Sequence, residues 1–511
     1  MFNFYIPGSM HVEFLITAQA AKEAEEFFVE GDAIRDISGC PHKEVRRKSL
    51  VGSVVEHEYF HHRHACSTTY GLFQFEIDSH ALHHRESIVK ALPKPTKLVS
   101  PFPIAEFRET LDAPLSSALA LCGLTDIMLT ALDKLQIDVL RLGIEDNQFR
   151  YPVSIPQTGP SKEERVAVEN SLTTNDLVEA IAAWKQYSWL LIHWYYGGFP
   201  DPTTLEREWL SWLRETNPSY LAAANYVAER SGAYLKHGLF GIILDLALMP
   251  PLFSSGDFGW TQISPPLRLE AILDACNDLP KSIIKRDVLE LLTLSEYSHI
   301  VEMIETKLGW QPMTKSIDDA LACLHRDSQT LEAWNNQGEL MAQAKNAGLV
   351  FSTGLAAYTM QFYHGLVNRK LYPGYVLFPH YHPNRELLGH LMCPITTNYA
   401  DGMSLNVLRV GPDEFGMHPF LALLVLWDIC WGLWLYETVN ESTEAIGMKP
   451  HSRRFYAQIP RALQDTYRSS AIASKILDVL LQDWMPFEQF LSLRLGKDHD
   501  TYFVSHADDS P

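Results

Sequence analysis

Apolar positions recur at helical spacing along most of this chain, and that period predicts a mainly α fold. Residues 11–35 carry Phe14, Ala18, Ala21, Ala24 and Phe28 on one stripe, which predicts a helix closed by Gly39 and Pro41. A second helix is predicted over about 43–66, with its stripe passing through Val51 and Val54/Val55. Continued at the same spacing, that stripe meets Glu58, His61/His62 and Ala65, so acidic and imidazole groups replace apolar ones on the face that should be buried. Between 69 and 78 the period changes to two, at Phe73, Phe75 and Ile77, which predicts a strand. Asp78 or Ser79 then caps a helix, SHALHHRESIVKAL.

Helical spacing returns over 115–142, 172–245, 279–308 and 442–495. Pro-rich stretches at 93–107 and 254–266 interrupt it, and PVSIPQTGPSKEER, 152–165, reads as a linker. The organisation predicted is an N-terminal α+β domain with His-rich helices over 1–152 and a linker over 153–165. A mainly helical domain over 166–500 and a loose acidic tail over 501–511 follow. Extended segments between 375 and 410 complete the expectation of a large multi-helix soluble fold with a small β-containing portion.

Three runs approach the apolarity of a membrane span: Trp189–Phe199, Leu239–Phe253 and Pro419–Tyr436. The first two are too short, and each run carries one polar group, His193, Asp245 or Asp428, so buried helices and no membrane span are expected. Such groups either line a pocket or are satisfied inside the core. Composition then narrows the partners. A formal net charge of -20 disfavours phosphate backbones and anionic membrane surfaces. Seven cysteines without a Cys-x-x-Cys pair suit reduced thiols, and MFNFYIPGSMHVEF lacks the features of a secretory signal, so a cytoplasmic location is expected. With 12 Trp, 21 Tyr and 24 Phe, a hydrophobic small molecule is the substrate class expected if the chain is an enzyme.

The chemistry concentrates in a few stretches. GYVLFPHYHPNRELLGHLMCPITTNYADGMSLNVLRVGPDEFGMH, 374–418, spaces His380, His382, Glu386 and His418 as a ligand set of imidazoles and one carboxylate, suited to a divalent transition metal. Its first half, Gly374 to Glu386, is similar to the first metal motif of the cupins, with Cys393 where that motif has glycine. Pro412, Gly416 and His418 resemble the second motif, Pro-x-Gly-x-x-His, with three residues in place of one between Pro412 and Gly416 and only Met417 between Gly416 and His418. The likeness covers this stretch alone and implies a metal site held by those four residues. The leading expectation is therefore a non-haem iron-type oxygenase or oxidase.

Two further sets rest on the histidines of the second helix. His57-Glu58-Tyr59-Phe60-His61 is an HExxH, which on a helix puts His57 and His61 on one face to grip zinc, with Glu58 as general base of a hydrolase. Glu76 and Glu86 are the downstream candidates for its third ligand. Glu58/His61 and Glu296/His299 repeat an ExxH spacing, the arrangement a ferritin-like di-iron site takes from two of its helices. A helical binding or scaffold protein without catalysis is the remaining alternative.

Overall fold

The structure, a computed structural model, describes residues 3–6, 11–16, 42–91, 113–196, 201–216, 218–290, 293–326, 350–377, 395–399 and 405–408. The fold is mainly α. In chain order the helices are α1 (His42–Cys66), α2 (Thr69–Ala91), α3 (Ala113–Asp133), α4 (Ile137–Asn147), α5 (Lys162–Asn170), α6 (Thr174–Tyr196), α7 (Pro202–Thr216) and α8 (Pro218–Ser231). They continue as α9 (Gly238–Ala247), α10 (Trp260–Ile263), α11 (Pro265–Cys276), α12 (Lys281–Ile284), α13 (Leu294–Leu308), α14 (Met313–Arg326) and α15 (Val350–Leu371). Four short segments, β1 (Asn3–Ile6), β2 (His11–Ile16), β3 (Ile395–Tyr399) and β4 (Leu405–Leu408), pair through their backbones in that order. The pairings are antiparallel, parallel and antiparallel in turn. Residues 11–16 were expected to open a helix and lie in this ladder instead.

The β-containing N-terminal portion expected from the alternation at 69–78 is not supported, because those residues are the first turns of α2. Two local causes decide it. The Thr68 hydroxyl accepts from the Gly71 N–H at 3.1 Å, a side-chain cap that starts a helix. Almost every side is then buried: Leu72, Phe73, Phe75, Glu76 and Ile77 all lie inside, so the alternation of Phe73, Phe75 and Ile77 carries no information about the backbone period. Glu76, at 0 % exposure, is neutralised by Arg150.

The corner between α1 and α2 positions everything that follows. Ser67 closes α1 by donating its hydroxyl to the Arg63 and His64 carbonyls, at 2.9 and 3.1 Å. A Cβ on Gly71 would lie 2.0 Å from the Ala65 carbonyl oxygen, so only glycine permits this approach. Gly365 brings α15 onto the same corner, where a Cβ would lie 2.3 Å from the Cys66 carbonyl oxygen. α1 packs on α6, α2 on α3, and α9 and α11 on each other. All ten residues of α9 are buried. One continuous apolar core joins Phe60 to Leu377 and includes residues from both sides of 152–165. That segment itself is pinned: Ser154 N–H donates to the Leu252 carbonyl, and the Trp260 indole donates to Thr158.

The helix expected over 279–308 is broken into α12, a 3-10 turn at Val288–Glu290, and α13. Thr293 starts α13 by a reciprocal cap with Glu296, which takes Glu296 out of the apolar stripe. Among the described residues one stretch, Ser116–Asp133 within α3, is long and apolar enough to cross a membrane; here it packs on α2.

Candidate metal centre

α1 and α6 run antiparallel and are stitched by polar rungs. The Gln186 amide donates to the Ser53 hydroxyl at 3.1 Å. The Lys185 ammonium lies 3.9 Å from Glu56 and donates to the Leu377 carbonyl at 2.9 Å. Glu56, the charge preceding the HEYFH motif, is also paired with Arg63. At the far end of the ladder, Glu179 of α6 meets His57 and His61 of α1. α6 reaches this place because Thr173 and Asp176 cap its start, and Leu177, Ala180, Ile181 and Trp184 turn its apolar face inward.

His57 and His61 are 5 % and 6 % exposed, and they share a helix face at i,i+4. Their Nε2 atoms lie 3.2 Å apart. Glu179 Oε2 lies 3.5 Å from the first and 3.6 Å from the second. A single point therefore sits about 2.0 Å from all three atoms, the length of Zn–N and Zn–O bonds. Among the described residues this is the one group of three or more His, Cys, Asp or Glu whose ligand atoms fall together in this way. The Glu179 side chain keeps 32 % of its surface exposed, so the cluster has a solvent side.

Tyr220 of α8 completes the arrangement. Its hydroxyl donates to Glu179 Oε2 at 2.7 Å, and its ring stacks on His57 at 5.7 Å and 21°. His57 Nδ1 is buried and finds no hydrogen-bond partner among the described residues. Burial works to raise the Glu179 carboxyl, but the charges and hydrogen bonds of His61 and His57 outweigh it and hold it well below the carboxylate range. Burial, Glu179 and Glu58 together push the Tyr220 phenol up, so it remains a donor. Glu58, the residue after His57 on α1, is 7 % exposed.

One turn further along α1, His64 belongs to a different assembly. Its Nε2 lies 2.9 Å from Asp245 Oδ1, and since a carboxylate only accepts, Nε2 carries the proton. Asp245 Oδ2 accepts from the Tyr297 hydroxyl at 2.5 Å and from Arg369, whose guanidinium also donates to the Tyr297 oxygen at 2.9 Å. Asp245, Tyr297 and Arg369 are each 0 % exposed. Burial opposes the Asp245 charge, yet Arg369 and His64 outweigh it and the carboxyl falls to about 2. Asp245 is thus a satisfied core group; a lined pocket was the other expectation. The side chain of His193, and Asp428, lie outside the described residues.

The remaining sequence candidates separate clearly. His380, His382, Glu386 and His418 lie outside the described residues. Glu296 pairs with Arg286 and caps α13, and His299 is exposed, so neither joins Glu58 and His61 at a common point. Glu76, a candidate third ligand, belongs to Arg150, with His80 at 3.9 Å; the Glu86 side chain lies outside the described residues. Sequence reasoning missed Glu179 and Tyr220. The one signal was an acid bordering the apolar stripe Leu177, Ala180, Ile181, Trp184. In comparison with known proteins, the chain matches no family model, no curated protein and no solved structure.

Proposed function

We propose that this chain binds one zinc ion through His57, His61 and Glu179 and works as a zinc hydrolase in which Glu58 is the general base. The observation that carries the reading is the triangle of ligand atoms. Two imidazole nitrogens and one carboxylate oxygen with a free approach are the donor set of a catalytic zinc, which keeps a position open.

The chain's own groups divide the work. His57 and His61 supply neutral nitrogens from a rigid helix, and Glu179 supplies the negative charge that a dication needs in a buried place. A bound zinc supplies Lewis acidity and makes a coordinated water acidic near neutral pH. Glu58, next to His57 in sequence, would take a proton from an attacking water and return it to the leaving group. Substrate reaches the site from the exposed flank of Glu179.

The test separates metal from chemistry. Purified full-length protein loaded with zinc should hold about one equivalent, and His57→Ala/His61→Ala should hold none while remaining folded. Glu58→Gln should retain the zinc and lose at least about 100-fold in hydrolysis across a panel of peptides and aryl esters. Hydrolysis that survives Glu58→Gln unchanged removes Glu58 from the role. Equal zinc in the double alanine variant removes the site.

A further inference from the structure

We infer that Tyr220 is the positioning residue of this metal site: it aims two of the three ligands at once, fixing Glu179 to one oxygen and His57 to one ring plane. The inference rests on the ligand set proposed above.

The argument begins with what each ligand lacks. A metal-binding imidazole is ordinarily oriented by a hydrogen bond from its second nitrogen. His57 has no such partner among the described residues for its buried Nδ1. No hydrogen bond at that nitrogen, among the described residues, helps to fix the ring plane. The Tyr220 ring lies against it instead, 5.7 Å away and tilted by 21°. Packing against a flat, near-parallel face leaves an imidazole one plane to occupy, so an aromatic contact takes the place of the missing hydrogen bond.

Glu179 lacks restraint of another kind. A carboxylate can present either oxygen, or both, to a metal. The Tyr220 hydroxyl donates at 2.7 Å to Oε2, the same oxygen that faces both histidines. One lone pair of Oε2 is then used by the phenol, and the other points to the common centre. Rotation that would bring both oxygens onto the metal breaks this bond. The carboxylate is held to one oxygen, and a fourth position at the metal stays free. Tyr220 comes from α8, so the site needs three helices, although its ligands come from two.

Substitution can divide the two contacts. Tyr220→Phe keeps the ring on His57 and removes the donor, and Tyr220→Leu removes both. Zinc affinity of the full-length protein is measured by competition with a chromophoric chelator, alongside Glu179→Gln and the thermal midpoint of each metal-free protein. Loss of such an outer partner lowers metal affinity by about 10–100-fold. We expect that loss for Tyr220→Phe, a larger one for Tyr220→Leu, and one equivalent of zinc still bound at saturation. Cobalt(II) gives a readout that mere packing does not move. Wild type should show the intense visible bands of four-coordinate cobalt, and Tyr220→Phe should show weaker bands as Glu179 turns both oxygens to the metal. This spectrum, taken at saturating cobalt, decides the matter even if a variant is less stable without metal. Affinity within threefold of wild type together with an unchanged cobalt spectrum in Tyr220→Phe overturns the inference and leaves the ligand set standing. A wild-type protein that binds no zinc, or a Glu179→Gln variant that binds it equally well, fails the ligand set itself.

Discussion

His61 and His64 stand one turn apart on α1, and each meets a carboxylate from another helix, yet the two meetings differ in kind. Around Asp245 both carboxylate oxygens are taken, by His64 on one side and by Tyr297 and Arg369 on the other, and the charges of Asp245 and Arg369 cancel inside a shell with no exposed surface. Around Glu179 the nitrogens of His57 and His61 converge with one carboxylate oxygen, and that carboxylate keeps a face to solvent. In the first cluster both oxygens of the carboxylate are hydrogen-bonded and its charge is matched by Arg369. The second brings two imidazole nitrogens and one carboxylate oxygen to within 3.6 Å of one another on the partly exposed side of α6. A buried histidine on an apolar stripe is therefore not one signal. Its meaning depends on whether the groups facing it complete each other or leave the same want.

The largest effect expected from breaking this contrast lies in the closed cluster. Asp245→Ala leaves Arg369 charged and without its partner at zero exposure, and should cost about 3–5 kcal/mol of stability. Denaturant unfolding measures it, and zinc stoichiometry in the folded fraction should not change. Zinc lost in proportion to stability would show that the two clusters are one.

A smaller effect belongs to the open cluster. Zinc at about 100 times its dissociation constant should stabilise the wild-type protein by about 2.7 kcal/mol, because the unfolded chain has no such site. Glu179→Gln keeps the size of the side chain and removes its charge, and should abolish most of that gain. A zinc-induced rise in the thermal midpoint that is equal in both proteins contradicts the assignment of Glu179.

The smallest effect concerns a carboxylate outside both clusters. Burial pushes Glu305 up to about 7 from an ordinary value of 4.5, although its bond from the Met313 N–H and the charge of Arg268 work the other way. A raised carboxyl binds its proton more tightly in the folded state. Its contribution is complete below pH 4.5 and is lost as pH rises through about 7. Glu305→Gln, which still accepts from Met313, should flatten that slope, a change on the order of 1–3 kcal/mol between pH 4.5 and 8. Parallel pH–stability curves for the two proteins would contradict the account of Glu305.

The mainly α character was legible because the helical period is repeated many times, and His57 with His61 because i,i+4 is set within one helix. Glu179 was not, since its approach depends on α6 packing antiparallel on α1, and no local spacing encodes that. The alternation at 69–78 misled because a helix buried on nearly all sides erases the contrast that periodicity reads. Glu296 misled for a different reason: Thr293-x-x-Glu296 is a start signal, and a residue spent on a cap cannot also serve a stripe.

The most direct test of the account is zinc K-edge X-ray absorption on the zinc-loaded full-length protein, wild type beside His57→Ala/His61→Ala. The account predicts a four-coordinate shell of nitrogen and oxygen at about 2.0–2.1 Å. Outer scattering should correspond to two imidazoles, and the whole signal should vanish in the double variant. A shell of oxygens alone, or a spectrum that the double variant reproduces, would contradict it.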